Sequence, residues 1–309
     1  MAINLGQVKD LLLPGLRGVV GEYPQWPNIY GKLFDTGKSE MFQERTASMR
    51  YLPLAQVKND GGGTFFDNNA GEAYVYNQVH VGIGLGYSIT RNTIDDNLYK
   101  AQFRPNNLGL QRSYQQTKEI YAANVFNNST TVDTTVGGDG VALLSTVHPI
   151  PPGGSNGVST FANTPSTQAD LNEASLLNAM IAIQTGFYDN AGLRMMATGK
   201  LLVIHPNNEP VAIRLLRTDL RPGTAMNDIN AIPTTAGGVT DYVKNVFFTS
   251  AYPWYIKTDV PGLLYLERIP FEMDLQVDFN TDNLLVKAFE RFSFNYMDPR
   301  CLYGNTPSS

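Results

Sequence analysis

The sequence is poor in the residues that staple, ligate or catalyse. A single cysteine, Cys301, stands among 309 residues, with three histidines and two tryptophans. One thiol excludes an intrachain disulfide framework and any metal site built on several cysteines. The histidines form no His-x-x-x-His pair for a metal, and no Gly-x-Ser-x-Gly elbow offers a serine nucleophile. There is no basic run either. The 23 lysines and arginines are scattered from Lys9 to Arg300 against 28 acidic residues, for a net charge of -5. Specific nucleic-acid binding is therefore not expected. The longest apolar runs, such as Leu11 to Leu13 and Leu201 to Ile204, fall far short of the roughly 20 residues that span a bilayer. No membrane partner is expected.

What catalytic material remains has a simpler structural reading in each case. His148 and His205 both precede proline, which biases them to extended backbone. Cys301 follows Arg300, a neighbour that can lower a thiol pKa, yet a lone thiol of this kind is usually only tolerated. Asp95 and Asp96 stand at a helix start, where the helix dipole favours carboxylates. No convergent set emerges, so no enzyme, metal or cofactor is expected. Two glycine clusters fail as nucleotide sites. Gly61-Gly62-Gly63 lacks a following Gly-Lys-Ser/Thr, and Gly82-x-Gly84-x-Gly86 lies inside a strand rather than after one.

What is present is 42% hydrophobic residues, enough to fill one large domain or two small ones. The strongest pattern lies between Asn77 and Asn127. Val79, Val81, Ile83, Leu85, Tyr87 and Ile89 alternate with His80, Gly82, Gly84, Gly86, Ser88 and Thr90, which predicts a strand with one apolar and one nearly bare face. This strand reads as one side of a hairpin, Ala73 to Thr90, whose other side is Met49 to Val57. The tip between them, Asn59 to Gly71, carries the adjacent aromatics Phe65 and Phe66. After the strand the period changes. Leu110, Tyr114, Thr117, Tyr121 and Val125 make a helical stripe. Pro105 and Gly109 predict a short helix over 91–103, a break, and a longer helix over 108–127.

Ahead of the hairpin, Pro14, Gly15, Pro24, Pro27 and Gly31 with Tyr23, Trp26, Tyr30 and Phe34 read as an irregular arm that lies on other surfaces. After the long helix, residues 129–166 read as loop and short strands. A capping-box-like start at Thr167 to Asp170 predicts a helix whose apolar stripe is Leu171, Ala174, Leu177, Met180 and Ile181. Lys200 to His205 reads as a buried strand and Glu209 to Arg217 as a helix. Arg221-Pro-Gly223 opens a loop to about Gly238. Strands are expected at Val243 to Ser250, Trp254 to Lys257, Leu263 to Arg268 and Leu284 to Phe294. Helices and strands are mixed without βαβ alternation, so the fold class is α+β.

The order of these pieces resembles tailed-bacteriophage major capsid proteins of the HK97 fold. The motifs that carry the likeness are Gly84 to Thr90 with Ile94-Asp-Asp96, Gly138 to Pro149, Leu220 to Ala231, Asp278 to Asn283, Glu290 to Phe294, Asp298 to Arg300 and Tyr303-Gly304. They cover most of the chain beyond residue 45 and are most similar to the group of Mu-like head subunits. Two departures stand out: Pro105 and Gly109 interrupt the expected spine helix, and Cys301 occupies a glycine position.

The resemblance implies an N-terminal arm over 1–47, an extended loop over 48–90, a peripheral domain with its spine helix over 91–159 and 276–309, and an axial domain over 160–275. It implies a head subunit that self-assembles through hexamers and pentamers into an icosahedral shell around a double-stranded DNA genome. The DNA would be enclosed without sequence-specific contacts. Localisation would be the virion, after assembly in the host bacterial cytoplasm. With too few residues ahead of the loop for a fused scaffold, the implied partners are a separate scaffolding protein, a portal and a decoration or cement protein. The rivals are a bacterial cargo compartment of the encapsulin type, on the same fold, and a soluble enzyme. Subunit contacts are expected at Lys58, Gly61, Gly62, Gly63, Phe65 and Phe66 on the loop, at Gly82, Gly84 and Gly86 on the strand, and at Arg221, Asn227 and Asp228 in the axial loop. The family's namesake joins a loop lysine to a neighbour's asparagine. Lys58 and Asn305 supply those residue types, but no Asp or Glu after Arg300 can take the proton, so the shell is expected to be held without covalent links.

Overall fold

The computed structural model describes residues 28–66, 71–96, 99–151, 157–219, 229–233 and 238–307. It is an α+β chain organised on two four-stranded sheets. Sheet one contains β1 (Asp35–Lys38), β10 (Leu263–Val277), β11 (Leu284–Tyr296) and β4 (Val81–Ile89), in that spatial order. Only β1 runs parallel to its neighbour. Sheet two has the order β12 (Leu302–Asn305), β9 (Trp254–Thr258), β7 (Gly199–Ile204), β8 (Asp241–Lys244), with β7 and β8 parallel. Two smaller ladders pair β2 (Gln43–Met49) with β3 (Glu72–Val79), and β5 (His148–Pro149) with β6 (Thr160–Phe161).

The long helix α3 (Tyr99–Asn127), about 43 Å at 1.5 Å per residue, lies along sheet one. The shorter helices are α1 (Tyr30–Leu33), α2 (Arg91–Asp95), α4 (Glu173–Gly186) and α5 (Glu209–Leu216). The expected break at Pro105 does not occur; α3 runs through it, and the interruption falls between α2 and α3. The reason lies on both sides of the proline. Phe103 packs with Ile89, Leu275 and Leu284, while Asn107 accepts a hydrogen bond from the Tyr87 hydroxyl. Anchors on either side outweigh a proline penalty of about 3 kcal/mol. The buried stripe of α3 begins as expected with Leu110 and Tyr114, then moves to Ala122, Ala123 and Phe126, where Phe34, Phe248 and Tyr255 close around the Phe126 ring.

Three other expectations shift for local reasons. The strand from Ala73 to Thr90 is two strands, separated at buried His80, whose Nε2 lies 2.8 Å from Ser39 Oγ. β3 pairs with β2, which precedes the expected hairpin arm, and residues 50–57 form no strand. The helix expected from Thr167 starts at Glu173, capped by a reciprocal Asn172–Ser175 box. Its buried face is Leu176, Ala179, Met180 and Ile183, leaving Ala174 and Ile181 exposed. The segment ahead of it is extended because Ala169 N–H donates to Asn305 Oδ1 at 2.8 Å and Ala169 O accepts from Trp254 Nε1 at 3.0 Å. β10 continues beyond Arg268 because Pro270 falls in an irregular stretch of the ladder, where register shifts occur between Glu267 and Glu272. A proline there forfeits no ladder bond. The strand expected over Val243 to Ser250 is short. It ends where Asn245 N–H donates to Ile204 O and Asn245 Oδ1 accepts from Phe247 N–H.

Candidate assembly interface

The loop beyond β2 presents a series of exposed apolar side chains. Tyr51, Leu52, Leu54, Val57, Phe65 and Phe66 are all exposed, Phe66 by 78%. A turn at Asn59 to Gly62 reverses the chain, with Gly62 N–H donating to Asn59 O at 2.9 Å and Gly61 at φ +77. Gly63 has open space around it. Lys58 is exposed and has no ion pair among the described residues. Burying six such side chains on a partner would release apolar surface at about 25 cal/mol per Å². Among the described residues none covers them.

The glycine-lined strand β4 stands at the edge of sheet one. Its bare face carries Gly82, Gly84 and Gly86 opposite Arg291, Phe289 and Lys287 of β11. The Phe289 ring fills the place of a side chain at Gly82, with atoms 3.3 Å from where a Cβ would sit. At Gly86 a Cβ would stand 2.6 Å from Val286 O, so only glycine keeps that ladder closed. Phe289 and Leu285 remain exposed on this face. The apolar face is only partly covered. Ile83, Tyr87 and Ile89 meet α3 or its cluster, whereas Val81 and Leu85 lie outside it, Leu85 with 48% exposure. At Leu85 the ladder is opened by a side chain: its N–H donates to Tyr114 Oη at 2.7 Å, and that hydroxyl donates to Ala288 O.

Several polar contacts hold α3 in place. Besides Tyr87–Asn107 and Tyr114, Lys118 Nζ meets Glu290 Oε1 at 2.9 Å with the carboxylate side chain 1% exposed. Burial pushes the Glu290 carboxyl above the ordinary carboxylate range, against the pull of Lys118. Glu119 accepts from Ile29 N–H (2.8 Å) and Tyr30 N–H (3.2 Å), and so caps α1 from 90 residues away. A second polar knot joins the rest. His148 Nδ1 lies 2.6 Å from Asp139 Oδ2 and its Nε2 3.1 Å from Asn163 Oδ1. Asn163 Nδ2 donates to Leu143 O and Pro299 O. Phe161 stacks between the His148 ring and the Arg300 guanidinium. Arg300 binds Tyr188 O, Asn190 Oδ1 and Asp298. These residues cross-tie segments; they do not surround a substrate-sized cavity, the adjoining void being about 10 Å³.

A family profile described as phage capsid protein matches residues 78–305. The chain belongs to the phage capsid protein family. No curated protein sequence matches it. Solved capsids of the HK97 fold share its architecture at very low identity. A structure from Microbacterium phage Oxtober96 is 13% identical with a TM-score of 0.54, covering 92% of this chain and 93% of that one. The procapsid of bacteriophage JBD30 is 11% identical with a TM-score of 0.52, over 99% and 77%. The capsid of a native GTA particle is 10% identical with a TM-score of 0.53, over 90% and 89%. The protein is thus a structural component of the virion shell, the HK97 fold is the one its sequence resembles, and neither rival reading is favoured.

The structure of this capsid protein distributes the expected contact residues in two groups. Lys58, Gly61, Gly62, Gly63, Phe65 and Phe66 share the exposed loop, and Gly82, Gly84 and Gly86 share the open face of sheet one. Arg221, Asn227 and Asp228 lie outside the described residues. The base of their loop is closed by Asn230, whose Nδ2 donates to Leu215 O and Thr218 O. Cys301 is buried against Gly262; burial raises its thiol pKa, and the Arg300 guanidinium that could have lowered it is engaged elsewhere. Sequence reasoning passed over the His148 knot and the Lys118–Glu290 pair. The signals were faint: a lysine among polar helix residues and a glutamate on the apolar face of a strand.

Proposed function

We propose that the chain is the major head subunit, assembling through hexamers and pentamers into an icosahedral shell around double-stranded DNA. The observation that carries this reading is the pairing of an exposed, apolar, glycine-hinged loop with an open, glycine-lined sheet face in one subunit. Each is a surface that another copy can cover, and symmetry multiplies each modest contact across the shell. Lys58, Gly61 to Gly63, Phe65 and Phe66 then contact one neighbour, while Gly82, Gly84 and Gly86 receive another.

In this reading residues 1–47 are the arm, 48–90 the extended loop, 91–159 and 276–309 the peripheral domain with α3, and 160–275 the axial domain with α4 and α5. The subunit has no catalytic role. A separate scaffolding protein directs assembly, a portal occupies one vertex, and a decoration or cement protein can bind outside. The acidic net charge of -5 suits a wall that does not grip its DNA.

Co-expression with the scaffolding protein, read by electron microscopy, should give closed particles of uniform size. Native lysates in which light scattering finds only a compact monomer or dimer would refute the reading. Removing residues 60–71 should leave the subunit folded and stop or distort assembly. A deletion that forms shells of normal stability removes the loop's contact role.

A further inference from the structure

The chain contains two Asp-Gly pairs, Asp60-Gly61 and Asp139-Gly140, and the fold places them in opposite surroundings. An aspartate followed by glycine can close on itself, the next amide nitrogen reaching the side-chain carbonyl carbon, because glycine has no Cβ to crowd the approach. Whether the ring closes depends on how firmly carboxyl and amide are held.

Asp139 is held firmly. Its Oδ2 lies 2.6 Å from His148 Nδ1, its Oδ1 accepts from Val141 N–H at 3.3 Å, and its side chain is 5% exposed. Asp60 is the opposite case. It stands exposed beside Gly61, Gly62 and Gly63, and its carboxyl has no hydrogen bond or ion pair among the described residues. One bond defines the turn, from Gly62 N–H to Asn59 O at 2.9 Å, and it leaves the Gly61 N–H without an acceptor among the described residues. Gly61 takes φ +77, the sign that the third position of a type II turn requires. Nothing stands within 4 Å of where its Cβ would be. The attacking nitrogen, the carbon it attacks and the incoming water are all unobstructed.

We propose that Asp60-Gly61 is a site of spontaneous isoaspartate formation in the free subunit, and that assembly closes it. The Gly61 nitrogen bonds to Asp60 Cγ, and the carboxyl hydroxyl leaves with the amide proton as water. A second water then opens the resulting succinimide. Attack at the Asp60 backbone carbonyl breaks its bond to the Gly61 nitrogen, so the chain continues through the side chain and a carboxyl is left on Cα. The mass is restored, and no oxidant or cofactor is consumed. The backbone gains one atom inside the ring that Asn59 O and Gly62 N–H close, which displaces the exposed Phe65 and Phe66 relative to β2. A subunit left outside a shell thereby loses the loop geometry that its neighbours need. The site rests on the turn alone, whereas its closure by assembly rests on the shell reading above.

The test holds full-length dissociated subunits at neutral pH and samples them over time. Isoaspartyl methyltransferase with labelled S-adenosylmethionine reads the product, and peptide mapping places it. Label should accumulate in the peptide beginning at Asn59 and stay at background at Asp139. The Asn156-Gly157 pair, which gives the same product by loss of ammonia, is resolved from Asp139 by fragmenting the peptides. Asp60→Glu keeps the charge but is too long for the five-membered ring, and should abolish the label at the tip. Assembled shells should carry no label there. Aged subunits should lose assembly yield in step with the label, while Asp60→Glu subunits aged alike keep the yield they had when fresh. Dissociated subunits without label at Asp60, or with equal label at Asp139, overturn the site. Equal label in shells and dissociated subunits overturns closure by assembly, and undiminished yield from isomerised subunits overturns the effect on the loop; both leave the shell reading standing. Protein that forms no shell with its scaffold overturns the shell reading, and the label in dissociated subunits still decides the site.

Discussion

Replacing Lys118 by methionine isolates the buried charge beneath the spine helix. Methionine keeps the length and apolar stem of lysine, so packing changes little. Among the described residues Glu290 then loses its one hydrogen-bond partner: Oε1 meets Lys118 at 2.9 Å and Oε2 has none. Breaking a buried pair on one side costs about 3–5 kcal/mol, because an uncompensated carboxylate stays behind. The penalty depends on pH. Burial already holds the Glu290 carboxyl above its ordinary range, so the folded state binds this proton more tightly than the unfolded chain. Such a group favours folding below the unfolded value and loses that contribution as pH rises through the folded one. Removing Lys118 raises the folded value further. Urea unfolding of dissociated subunits should therefore show the full loss at pH 7.5 and a smaller one near pH 5. Changing Glu290 to glutamine in the same chain should recover most of the loss, a coupling that a double-mutant cycle reads directly. A Lys118→Met loss below about 1 kcal/mol, or one that is flat between the two pH values, refutes the argument.

Three further outcomes can be checked. Tyr114→Phe removes the hydroxyl between Leu85 and Ala288, and should cost about 1–2 kcal/mol while changing the hydrogen-exchange rate of the Leu85 amide. Gly138→Ala should prevent a stable fold, measured as loss of soluble subunit. Its φ is +79, and a Cβ there would lie 2.2 Å from the Tyr76 ring. Mature particles boiled in detergent should run as one band near 34 kDa; a covalent ladder abolished by Lys58→Ala would contradict a shell held without covalent links.

The sequence made the ladder of sheet one legible where alternation was strict, as in β4 and β11. It misled at Pro105, where a break was expected, and at the end of β10, expected at Arg268. Pro105 and Pro270 are costly in isolated elements, but Phe103 and Asn107 anchor the first, and ladder irregularity accommodates the second. β2 was missed because Gln43 to Met49 has no apolar period; its partner strand defines it. On the interface side, the exposed aromatics and bare glycines were visible as residue types. The Asp139–His148–Asn163 knot was not, because Asn163 reaches Pro299 across 136 positions and no local pattern encodes that approach.

The placement of β12 bears on when a subunit becomes competent. Its four residues are buried beside β9, Gly304 N–H donates to Asn163 O, and Asn305 holds Ala169. All of these partners leave the ribosome before it does. Sheet two therefore keeps an unpaired edge, and the polar knot stays open, until residues 302–305 have been translated and released from the exit tunnel. A nascent chain cannot present a finished axial surface to its neighbours. Joining the shell waits on the emergence of residues 302–305, which keeps subunits lacking β12 out of the lattice.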